Sequence, residues 1–100
     1  MSVYDVILKN RAFMLSHLEP TYIIEQLYSK EVISEQEYQN IKVKKTAREQ
    51  CVAILNYVGK CTENQFFDFC DVLNDDFDWV GEQVLSDGNE AGLKRSSKSG

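Results

Sequence analysis

Proline and histidine each occur once, as Pro20 and His17, and glycine only five times in 100 residues. That scarcity, with 43% apolar residues, fits a compact helical chain rather than a disordered one, and at this length there is room for a single core. Apolar runs fall far short of the ~20 residues needed to cross a membrane. The N-terminus also lacks the charged stretch followed by a hydrophobic one that marks a secretory leader, so a cytoplasmic protein with no membrane partner is expected. Cys51, Cys61 and Cys70 are odd in number and lack the close pairing and the histidines of a zinc site, so they read as small buried hydrophobes in a reducing compartment. There is no glycine-rich phosphate loop, and His17 has no recognisable nucleophile and orienting partner, so neither cofactor, metal nor catalysis is expected.

Positive charge is also in short supply. The net charge is −5, which argues against nucleic acid as the main partner because phosphate binding needs a concentrated positive surface. The one basic concentration, Lys42, Lys44, Lys45 and Arg48, is flanked by acidic segments and makes a poor helix-turn-helix. Charge nevertheless alternates in blocks: +1 over residues 1–18, −4 over 19–41, +3 over 42–59, −6 over 60–85 and +1 over the remainder. A folded domain built this way should carry regions of opposite sign.

What is present is helix grammar. Thr46 followed by Glu49 is a capping box, which satisfies free N–H groups reciprocally at a helix start. Ala47, Cys51, Ile54, Leu55 and Val58 then share one face, and Gly59 suits a left-handed stop. The same box recurs as Ser34 with Glu37, opening a helix with Tyr38 and Ile41 inward, and as Thr62 with Gln65, opening one with Phe66, Phe69, Cys70 and Leu73 inward. Residues 3–18 form a long helical pattern with Tyr4, Ile7, Leu8, Met14, Leu15 and Leu18 as its stripe and a break at Asn10-Arg11 that predicts a bend. Pro20 opens a short helix carrying Ile23, Ile24, Leu27 and Tyr28. Asn74, Asp75 and Asp76 offer caps for a last helix with Phe77, Val80 and Val84 inward and Trp79 beside them. The segment from Ser86 lacks periodicity, which predicts a domain over 1–85 and a flexible tail or linker over 86–100. Short connections make successive helices antiparallel neighbours, so the expected fold is an all-α, six-helix antiparallel bundle.

The runs Ile7-Leu-Lys-Asn-Arg11, Val32-Ile-Ser-Glu-Gln-Glu-Tyr38, Lys45-Thr-Ala-Arg48 and Phe66-Phe-Asp-Phe-Cys70, in that order and spacing, resemble the caspase recruitment domain, a branch of the death-fold superfamily. The resemblance spans residues 3–85 and implies a bundle with a bent first helix and no enzymatic activity. It further implies docking onto other caspase recruitment domains, borne by a caspase, adaptor or sensor, to build apoptotic or innate-immune complexes, with homo-oligomers or filaments as one form. A lone domain of this kind can also cap such an assembly as a decoy. Matching positions place a basic face at Lys9, Arg11, Lys45 and Arg48 and an acidic face at Glu25, Glu31, Glu35 and Glu37. Val52 stands where some members carry another arginine, which weakens the basic side. Exposed ion pairs are individually weak, so apolar contacts must contribute, and Phe13, Tyr57 and Phe67 are the candidates.

Overall fold

The computed structural model describes residues 2–95. Within them the chain is helical, with α1 (Val3–Lys9), α2 (Arg11–His17), α3 (Pro20–Ser29), α4 (Glu35–Lys42), α5 (Ala47–Val58), α6 (Glu63–Asp76) and α7 (Asp78–Glu90). The expected bent first helix is α1 and α2 together, so seven segments build a six-helix frame. Asn10 makes the break. It ends α1 and starts α2 with φ −100° and ψ 6°, while its buried side chain donates to the Val6 carbonyl at 3.0 Å and to Asp87 Oδ2 at 2.9 Å. Asparagine competes for backbone partners in this way, and here it pins the bend to α7.

All three capping boxes form as expected, and a fourth joins Ser2 to Asp5 at the start of α1. Thr46, for example, accepts the Glu49 N–H at 3.1 Å, and Glu49 returns the bond to the Thr46 N–H at 3.2 Å. Two helices end in Schellman turns, in which a left-handed residue lets the next N–H bond back to the last turn. At α3 the left-handed residue is Glu31, φ 60°, and the Val32 N–H reaches the Leu27 carbonyl at 2.9 Å. At α7 it is Gly92, φ 85°, and the Leu93 N–H reaches the Gly88 carbonyl at 3.0 Å. Gly59, expected to be left-handed, stays right-handed at φ −61° because the chain leaves α5 by further tight turns.

The core centres on α6, which buries Phe66, Phe67, Phe69, Cys70, Val72 and Leu73, with α7 and α3 against it. From α5, Cys51, Ile54, Leu55 and Val58 point inward as expected, whereas Ala47 is exposed and Ala53 takes part instead. Val3, Val6 and Ile7 are the inward residues of α1, Ile7 as expected, while Tyr4 and Leu8 are left outside. Asn74, Asp75 and Asp76 finish α6 rather than capping α7, which starts after Phe77.

Residues past Ser86, expected as an aperiodic tail, continue α7 to Glu90 and then fold back. Asp87 and Gly88 are buried in that last stretch, Gly88 under the ring of Phe66, and Leu93 closes over it at 5% exposure. Of the predicted tail, residues 96–100 lie outside the described residues. No described helix is long and apolar enough to cross a membrane.

Candidate functional site

Position along α5 organises one surface. Arg48, Val52 and Asn56 follow one another at every fourth residue, so they form a row on the side turned away from the core. Lys44 before the helix and Lys60 after it extend the row, and these five residues line a shallow, predominantly basic groove together with Glu49, Ala53 and Tyr57. The bend at Asn10 brings Arg11 to the same row, where its Nη1 donates to Asn56 Oδ1 at 3.3 Å. Arg11 and Arg48 thus belong to one continuous surface, with Asn56 between them. The other two expected basic residues sit differently. Lys9 turns to α7, its Nζ 3.6 Å from Asp87 Oδ1, and Lys45 precedes the Thr46 cap with its N–H donated to Glu49 at 3.2 Å. Lys44, Asn56 and Lys60 were not picked out by resemblance. The four-residue repeat from 44 to 60 is the signal that could have found them.

The acidic residues divide. Glu31, Glu35 and Glu37 border one depression on the α3–α4 connection, together with Tyr57, Lys60 and Cys61. Gln65 on α6 donates to the Glu31 carbonyl at 2.9 Å and fixes that connection in place. Glu37 spends one oxygen on the Ser34 N–H at 2.8 Å, whereas Glu35 is exposed. Glu25 lies on α3, outside the depression. It accepts from Tyr38 Oη at 2.6 Å and has Lys42 Nζ at 3.7 Å, while Tyr28 stacks on Tyr38 with ring centroids 4.6 Å apart. The hydrogen bond to Glu25, with a lesser contribution from burial, holds the Tyr38 phenol above its ordinary pKa. Since Tyr57 and Lys60 line both the basic groove and the acidic depression, the two regions adjoin along one edge.

Among the candidate apolar contacts, Phe13 and Tyr57 are half-buried, and Tyr57 Oη accepts from Asn40 at 3.1 Å. Phe67, the third candidate contact, is buried instead, because the C-terminal segment crosses α6 and sets Arg95 over its ring. A chain of aromatic rings, buried at Phe77 and open to solvent at His17, Tyr22 and Trp79, lies elsewhere on the surface. Phe13, His17, Trp79, Phe77 and Tyr22 follow one another with centroids 4.9 to 6.4 Å apart across α2, α7 and α3, and Trp79 is half exposed.

The thiols are unsuited to chemistry. Burial pushes Cys51 up to about 11 and Cys61 and Cys70 up to about 12, so each stays protonated at neutral pH. His17 meets Phe13 and Trp79, both edge-on, in an aromatic contact rather than a proton relay.

A comparison with protein families matches the family described as Caspase recruitment domain (CARD) over residues 4–90. Comparisons with the curated proteins and with the solved structures give no match. The family match takes in all seven helices, from Tyr4 in the first turn of α1 to the last residue of α7. On that match, and on a helical bundle whose first helix is broken in two, the chain belongs to the caspase recruitment domain family.

Proposed function

We propose that this domain, from a family of protein-interaction modules rather than enzymes, docks other caspase recruitment domains through its basic groove and acidic depression to build cytoplasmic apoptotic or innate-immune complexes. The observation that carries the reading is the row Lys44, Arg48, Asn56 and Lys60 with Arg11 joined to it, next to Glu31 and Glu35 on a separate connection. A contact between two different faces is heterologous, and repeated without closure it yields a helical filament. Opposed charges steer the encounter and fix its register. An exposed pair contributes at most about 1 kcal/mol, so several must act together with the apolar stems of Val52 and Tyr57.

The test is light scattering after size exclusion, at several salt and protein concentrations. Arg48→Glu and Glu35→Arg are each expected to stay folded and lose assembly, and mixing the two should restore part of it. Assembly by each single variant as by wild type would sink the reading. A second reading, the capping decoy, is favoured by one observation: Glu25 is already engaged by Tyr38 and Lys42, which blunts the acidic side relative to the basic one. On that reading the wild-type protein alone stays monomeric and shortens filaments of a partner domain. Propagation of those filaments would rule the decoy out.

A further inference from the structure

The C-terminal segment past α7 lies beyond the family match and makes contacts of its own. Gly92 turns the chain back, Leu93 is buried, and the Lys94 N–H reaches Glu63 Oε1 at 2.9 Å. Arg95 then crosses α6. Its Nη1 donates to Asp68 Oδ1 at 2.9 Å, its Nη2 to Asp71 Oδ2 at 3.2 Å, and its guanidinium carbon sits 5.7 Å from the centroid of Phe67. Asp68 and Asp71 stand three residues apart, on one helix face, so a planar fork can reach both carboxylates at once. A lysine is a point charge that cannot make both bonds and stack on the ring. Residues 61–93 hold no lysine or arginine, so Lys94 and Arg95 are the first cations along the chain after Lys60, and it is Arg95 whose side chain reaches these two carboxylates.

The contact is also reversible in character. The side chains of Arg95 and Asp71 are 45% and 57% exposed, and beyond Leu93 nothing in the strap is buried. Two exposed ion pairs hold weakly and exchange with solvent and competitors. We propose that Phe67, Asp68 and Asp71 form an arginine-reading site on α6, filled in cis by Arg95, so that residues 93–95 act as a self-ligand withholding this face from an arginine displayed by another caspase recruitment domain. The proposal rests on the reading of the chain as a docking module but on neither of the charged faces assigned above.

The experiment is an amide-resolved NMR titration of the 100-residue chain with the peptide acetyl-Gly-Leu-Lys-Arg-Ser-amide. In the Arg95→Ala variant the peptide should shift the amides of Phe67, Asp68 and Asp71 saturably. Wild type should bind it several-fold more weakly, because its own arginine must first leave. Adding Asp68→Asn and Asp71→Asn to Arg95→Ala should abolish the shifts. The proposal is overturned if Arg95→Ala shows no saturable shift, if wild type binds equally well, if the shifts survive the asparagine changes, or if a peptide with lysine for arginine binds as tightly. Arg48→Glu and Glu35→Arg leave this titration untouched, so failure of the charged-face reading and failure of the strap are separately visible.

Discussion

Asp87 is 8% exposed and accepts from Asn10 at 2.9 Å and from Gln83 at 3.2 Å, with Lys9 3.6 Å away. The Asn10 hydrogen bond, aided by Gln83 and Lys9 against some desolvation, holds its carboxyl below the usual carboxylate range. A carboxylate lowered on folding contributes stability that is complete above its unfolded pKa, near 3.9, and is lost as pH falls through the folded value. Urea midpoints measured down a pH series should therefore drop below about pH 4, and Asp87→Ala should flatten that acid slope. The same variant leaves the Asn10 amide buried with one partner fewer and should cost about 1–3 kcal/mol at neutral pH. None of this was legible beforehand. Asn10 and Asp87 are 77 residues apart, and a polar side chain in a helical pattern reads as surface unless its partner is known.

Helix starts were legible because a capping box is written within four residues, and each predicted one is present. Helix ends were not, since a Schellman turn depends on what the following residues cover. Glu31 takes the left-handed position with a full side chain, which strains the backbone, so Glu31→Gly should raise stability by up to about 1 kcal/mol in thermal unfolding. It should at the same time weaken docking if Glu31 is used by a partner. Gly88 lies in the segment expected to be an aperiodic tail and is instead a packing residue. A Cβ there would stand 2.5 Å from Phe66 Cε2, and Phe66 is fully buried with no room to swing away. Gly88→Ala should consequently cost about 1–3 kcal/mol, read as a shifted denaturant midpoint, although alanine is the better helix former. The stripe in α1 is right at Ile7 and wrong at Tyr4 and Leu8, because Val3 and Val6 share the buried face with Ile7 and turn those two larger side chains outward.

Across the whole molecule, block charges were readable along the chain, but their placement in space was not. The blocks suggested regions set apart, whereas Lys60 and Tyr57 border both the basic groove and the acidic depression, so a partner covering one edge meets both signs. Docking should thus weaken with salt, yet more gently than a contact between one uniformly positive and one uniformly negative surface. The Cα radius of gyration, 12.6 Å, is that of a close-packed chain of this length, and it is achieved with three thiols shut inside or partly shut inside. Those sulfurs amount to a set of clocks. An alkylating reagent should reach half-covered Cys61 first, and Cys51 and Cys70 only when the bundle opens, so the lag between them would time the breathing of the interior without any added label.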